Sequence, residues 1–232
     1  MTFPERAESK SADATHSIPL RALIIACGAL VRELKIVTRK FDWITIQCLP
    51  AVLHNTPKLI PEMVRQRVLA AKAEERFDAI FVGYMDCGTG GMLDEVCNEE
   101  GVQRLPGTHC YELLAGVGQF KAWQDAEPGT FYLTDYLVTH FDRIIMEGLG
   151  ISKHPELLEM YFRNYTRVIH LAQSDDPLLT ERAEKAADKL GLPCKRVFTG
   201  VDQLKTQILN LREHSIKTIP NVSKHTQAHA DK

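Results

Sequence analysis

The chain has 232 residues, 44% of them hydrophobic and 25% charged, and a formal net charge of −2. These proportions belong to a soluble globular protein able to bury a core without disulfides, as one large domain or two small lobes. They exclude a strongly basic nucleic-acid-binding surface, and no run approaches the ~20 apolar residues of a membrane helix, so neither nucleic acid nor a membrane is an expected partner.

Residues 1–18 are polar and lack the apolar stretch of a secretory signal, so the expectation is a disordered tail. Arg21 opens an apolar run, Ala22 to Ala26, closed by Cys27 and Gly28, which reads as a buried parallel strand and a turn. ALVRELKIVTRK is an amphipathic helix and DWITIQCLP a second strand. LHNTPKLIPEMVRQRVLAAKAEER contains a long helix, with Pro57 or Pro61 suited to its first turn. DAIFVGYMD is a third strand, and DCGTGG, at 86–91, follows it before the helical spacing of MLDEVCNEE. GVQRLP reads as a short fourth strand, HCYELLAGVGQFKAWQDA as a helix, and TFYLTDYL suits either strand or helix. HFDRIIMEGLGISKHPELLEMYFRNY is helical but broken near Gly148 to Pro155. TRVIHLAQ is a strand, and DPLLTERAEKAADKLGL a helix with Asp175 or Asp176 as N-cap and Gly191 at its end. PCKRVFTG and VDQLKTQILNLREH give the last strand and helix. From Glu213 the composition reads as a second tail, with His214, His225 and His229 as weak metal-ligand candidates.

Strands alternate with helices, and several strands are apolar throughout. The expected fold is therefore α/β and Rossmann-like, a largely parallel sheet with helices on both faces. It forms a single domain over 19–212, which allows two lobes, 19–128 and 129–212.

Six cysteines without tight pairing or a signal sequence fit a cytoplasmic protein with reduced thiols. Cys48, Cys97 and Cys194 read as packing residues. Cys27, Cys87 and Cys110 each fall at the carboxyl end of a strand, where open α/β sheets bind ligands. Packing accounts for any one of them, but three at the same structural position favour a shared site. A helix beginning at each would lower the thiol pKa. Three thiolates leave a fourth position open, as in a catalytic zinc site, and equally suit a four-iron iron–sulfur cluster. No C-x-x-C or H-E-x-x-H motif decides between them. His109 or His54 is a supporting nitrogen ligand or acid–base group.

Gly88, Thr89, Gly90 and Gly91 either form a tight turn or offer backbone N–H groups to an anionic cofactor or substrate. Asp86 caps the following helix or takes a proton, and Glu112, beside Tyr111 on the turn after Cys110, is a candidate for a polar substrate. The aromatic segments FYLTDYLVTHFDR and HPELLEMYFRNYTR read as core or an oligomer contact. Asp135, His140 and Asp142 lie close enough in sequence to form a polar group, without an assigned chemistry.

The stretches IACGAL, LPAVLHNTPKLIP, FVGYMDCGTGG, RLPGTHCYELLAG, GTFYLTDYLVTHFDR, GLGISKHPELLEMYFRNYTRV and LAQSDD resemble an uncharacterised family, domain of unknown function 1638, over most of residues 22–195. The resemblance implies a setting in corrinoid-dependent methyl transfer, beside corrinoid-binding proteins and methyltransferases. In that setting, zinc held by cysteines serves methyl transfer to a small-molecule thiol, and an iron–sulfur cluster serves corrinoid reactivation. Either would use Cys27, Cys87 and Cys110, with His109, Asp86 and Glu112 as catalytic candidates. Two alternatives stand beside this reading. One is a non-catalytic accessory protein that binds a corrinoid protein or methyltransferase. The other is a metal-free enzyme with Cys87 as nucleophile. A homodimer is the expected oligomer.

Overall fold

A computed structural model describes residues 21–218. The expected N-terminal tail, and His225 and His229, lie outside the described residues. The first half of the chain builds β1 (Ala22–Cys27), α1 (Val31–Thr38), β2 (Ile44–Leu49), α2 (Ile60–Ala73), β3 (Ala79–Gly83), α3 (Met92–Glu99) and β4 (Gln103–Arg104). These strands form one parallel sheet of order β2-β1-β3-β4. Side chains alternate across a strand, so β1 feeds two cores at once. Ala22, Ile24 and Ala26 join the core that includes Leu30 and Leu34, while Leu23 and Ile25 join Val64, Val68 and Leu93 on the other face. This double burial is why β1 is apolar at every position, and each fully buried Leu or Ile contributes roughly 1.5–3 kcal/mol.

α4 (Cys110–Ala115) and α5 (Val117–Ala126) divide at Gly116, where one continuous helix is expected from the sequence. Gly116 has φ 84°, outside the helical region, and ends the first helix. A second parallel sheet follows, β5 (Thr130–Thr134), β6 (Arg167–Ala172) and β7 (Cys194–Phe198), in sequence order. The ambiguous TFYLTDYL resolves as both candidates in turn. TFYLT is β5, and α6 (Asp135–Thr139) starts at once, with the Thr134 hydroxyl accepting from the Leu137 N–H. A π-helical segment, Asp142–Glu147, then leads to turns and α7 (Leu157–Phe162). α8 (Pro177–Leu190) uses Asp176 as N-cap and Gly191 as its left-handed end, while Asp175 instead pairs with Arg196. The aromatic residues Phe131, Phe162 and Tyr165 pack edge to face in the core beside this sheet.

Two parallel sheets flanked by helices bear out the α/β fold, and two sheets fit two lobes. α9 (Asp202–Thr218) crosses back from the second sheet: its Leu204 and Ile208 are buried in the first sheet's core, against α1 and α4. The helix also continues past Glu213, where the sequence reads as a tail, so His214 falls on α9. No helix among the described residues is long and apolar enough to cross a membrane.

Candidate functional site

In the first sheet the strand order reverses between β1 and β3, and the crevice at such a reversal is where open α/β sheets hold ligands. Cys27 ends β1, and Cys87 follows β3. Gly28 lets the chain leave β1 tightly, because a β-carbon there would stand 2.9 Å from the Leu49 carbonyl oxygen. Cys110 begins α4, beyond β4. All three cysteines line one enclosed cavity of about 40 Å³, together with His54, Tyr84, Met85 and Tyr111. Thr134, at the end of β5, and Tyr136, on α6, close it from the second sheet. The cavity therefore lies where the carboxyl ends of the two sheets meet. Cys48 and Cys194 do not line it, and Cys97 is buried in the first sheet's core as expected. Cys48, read from the sequence as a packing residue, is exposed on edge strand β2.

The thiols are perturbed in the direction opposite to that expected from the sequence. Burial pushes Cys87 up to about 12, with the nearby Cys27 adding to the effect. Burial raises Cys110 as well, reinforced by Cys87 and Cys27, and raises Cys27. The expected helix-end stabilisation is weak for a structural reason. Cys27 precedes only a 3-10 turn, Gly28–Leu30, α4 is six residues long, and α3 starts at Met92, well after Cys87. Short or distant dipoles lose to desolvation. At neutral pH these are neutral thiols, each disfavouring ionisation of the others, and not low-pKa nucleophiles.

Cys87 also has φ 51°, in the left-handed region that side chains with a β-carbon rarely adopt. Beside it, the Tyr84 hydroxyl is buried against the Cys27 thiol; burial raises its pKa, and Cys27, its one polar neighbour within loose hydrogen-bonding reach, raises it further. No group of good hydrogen-bond geometry meets that hydroxyl among the described residues, and Tyr84 lines the cavity. No trio of Cys, His, Asp or Glu among the described residues is spaced to hold a metal ion as it stands. In chemistry the donor set fits a soft metal: three sulfur atoms among largely apolar walls. The volume holds a single ion with one small ligand, whereas a four-iron cluster would have to displace side chains.

The glycine loop does not serve the cavity. The Asp86 carboxylate accepts from the N–H groups of Gly88 (3.2 Å), Gly90 (3.2 Å) and Gly91 (2.8 Å) and from the Thr89 hydroxyl (2.7 Å). The Thr89 N–H bonds the Asp86 carbonyl at 3.0 Å. Burial works against the Asp86 charge, but the donors of Gly91, Thr89, Gly90 and Gly88 outweigh it and hold the pKa below the ordinary range. The N–H groups expected to meet an anion are thus spent on Asp86, which is the clamp of the loop and not a cavity residue. Glu112 is likewise committed, since its Oε2 accepts from the Thr108 N–H at 2.7 Å and the Thr108 hydroxyl at 3.1 Å. His109 is exposed and does not line the cavity. His54 does line it, at the rim, and burial of its protein side together with the nearby His109 lowers its pKa.

Tyr84 and Tyr136 escape sequence reasoning because a tyrosine in an apolar run signals core and nothing more. A second buried network is also invisible in the sequence. Asp135 and His170, each 1% exposed, meet at 3.0 Å through Asp135 Oδ1 and His170 Nε2, and Ser174 donates to Asp135 from its N–H and hydroxyl. Glu33 on α1, 2% exposed, lies near Asp135, and its Oε2 has no partner among the described residues. Burial raises the Glu33 pKa, and the Asp135 charge raises it further. Asp135 therefore faces His170 and Glu33, not His140 and Asp142, the neighbours suggested by its place in the sequence.

Comparison with curated proteins and with solved structures finds no match. A family model described as protein of unknown function DUF1638 matches residues 48–208. The match takes in Cys87, Cys110, the Asp86 clamp and the whole second sheet, and begins after Cys27. Matched over more than half its length, the chain belongs to the DUF1638 family.

Proposed function

We propose that this protein is a metal–thiolate enzyme in which Cys27, Cys87 and Cys110 hold a zinc-like ion between the two sheets. The observation that carries the reading is the meeting of three cysteines, Cys27 at the end of β1, Cys87 after β3 and Cys110 at the start of α4, in one enclosed cavity that Tyr84 also lines. Three thiolates leave one coordination position for a substrate. A thiolate-bound zinc ion favours deprotonation of a substrate thiol, the chemistry needed for methyl transfer to sulfur or exchange with a partner's corrinoid. The chain's own groups then have separable tasks. Tyr84 would donate a hydrogen bond to a polar group bound in the cavity. Met85 and Leu137 exclude water, and Tyr111 and Tyr136 close the walls. His54, whose pKa is lowered by burial and by the nearby His109, offers a ring nitrogen for a hydrogen bond among the lining residues. Because the thiols are protonated at neutral pH, binding the ion displaces their protons into solvent.

The test is metal analysis of protein purified without oxygen and without a metal-binding tag, followed by zinc titration. Near-stoichiometric zinc that disappears in a Cys110→Ser variant with native circular dichroism is the expected result. Iron with acid-labile sulfide would replace zinc by a cluster. Protein that neither carries nor takes up metal would overturn the reading and leave the accessory role.

A further inference from the structure

The outer side of the second sheet carries a separate cleft of about 510 Å³, between the segment Val138–Glu147 and α8. That size is within the range of small-molecule sites. Its lining sets four cationic side chains, Arg143, Arg182, Lys185 and Lys189, against two carboxylates, Asp142 and Glu147, in a chain whose net charge is −2. The two lysines are neutralised locally: Lys189 pairs with Asp142, and Lys185 pairs with Glu181 at 2.6 Å. The two arginines are not. Neither the Arg143 nor the Arg182 guanidinium makes a hydrogen bond or ion pair among the described residues. One stands on the π-helical wall and the other on α8, so a ligand between them would meet two uncommitted guanidinium groups.

The wall itself is unusual. Within a wide π turn, a β-carbon at Gly148 would lie 2.2 Å from the Ile144 carbonyl oxygen, so the backbone there tolerates only glycine. Such turns are rare and often occur at functional sites. Val138, Phe141 and Ala186 give the cleft an apolar side. His140 stands edge-on to Tyr136, with ring centroids 4.5 Å apart, and Tyr136 lines the thiol cavity. The five-residue helix α6 thus separates this cleft from that cavity.

We propose that this cleft binds a phosphorylated small molecule, its phosphate held between Arg143 and Arg182 and its organic part against Phe141 and Ala186. Guanidinium groups suit phosphate because they donate paired N–H groups at a fixed spacing. The two lysines, already paired, add little to this attraction, and Glu147 is the one carboxylate of the lining without an ion pair among the described residues. This inference does not depend on metal at the cysteines.

The experiment is calorimetric titration of the full chain with inorganic pyrophosphate, with citrate as a polycarboxylate comparison. The expected result is saturable pyrophosphate binding, weakened about tenfold in Arg143→Gln and again in Arg182→Gln, as loss of a charged hydrogen bond predicts. Glu147→Gln should tighten binding, and Arg67→Gln, on exposed α2, should leave it unchanged. Melting curves check that these surface variants remain folded. No saturable binding at millimolar pyrophosphate, or wild-type affinity in both arginine variants, would overturn the proposal. Tighter binding of citrate than of pyrophosphate would overturn the phosphate assignment.

Discussion

Cys87 combines a left-handed backbone with a thiol in the cavity, and two substitutions separate those roles. At φ 51° a residue with a β-carbon bears roughly 1–2 kcal/mol of steric cost. Glycine escapes it but loses about 0.5–1 kcal/mol through the greater freedom of its unfolded chain. Alanine keeps the steric cost, and both substitutions delete the sulfur. Cys87→Gly should therefore be more stable than Cys87→Ala by about 0.5–1 kcal/mol, which is about 1–4 °C in melting midpoint for a chain of this size. Urea denaturation of the two metal-free variants, side by side, reads the difference, and zinc titration of each reads the site. Neither variant should bind zinc at wild-type affinity. An alanine variant as stable as the glycine variant would refute the strain, and full zinc binding by either would refute the ligand role.

The raised thiol pKa values make the metal-free protein sensitive to alkali. For Cys87 the folded-state value of about 12 exceeds the ordinary 9.0, so its contribution is complete below pH 9 and is lost as pH rises toward 12. Stability measured across that window should fall more steeply in the wild type than in Cys87→Ala. Asp86→Asn turns an acceptor of four donors into a mixed donor and acceptor, and should cost about 2–3 kcal/mol in urea denaturation while metal content per folded molecule is retained. Full stability in that variant would refute the clamp. Glu33 has a raised pKa, so the stability it contributes is present at acid pH and lost as pH rises through its folded value. Glu33→Gln should therefore be more stable than wild type at pH 8 and nearly equal to it at pH 4, and the same difference at both would refute the buried, partnerless carboxyl.

The strands were legible because burial on both faces demands apolar runs, which LIIA and IFVG supply unbroken and VIHLA supplies around the buried His170. The three cavity cysteines were legible for a related reason: in a parallel sheet every strand-to-helix turn emerges on the same edge. What the sequence conceals is how each polar group is spent. DCGTGG reads equally well as an anion cradle or a closed loop, and only the position of the Asp86 carboxylate decides that its donors are occupied. Thiol acidity depends on desolvation, a property of surroundings assembled from both halves of the chain. The Asp135–His170 pair joins residues 35 positions apart, with no spacing rule to announce it.

The return of α9 to the first sheet means that the polypeptide passes between the lobes twice, once after α4 and again after β7. Two tethers permit twisting or sliding but resist the wide clamshell opening available to lobes joined by a single hinge. Biosynthesis is constrained as well. Leu204 and Ile208 follow every strand of the second sheet in the sequence, so the first sheet's core against α1 and α4 is completed only after the second sheet has been translated.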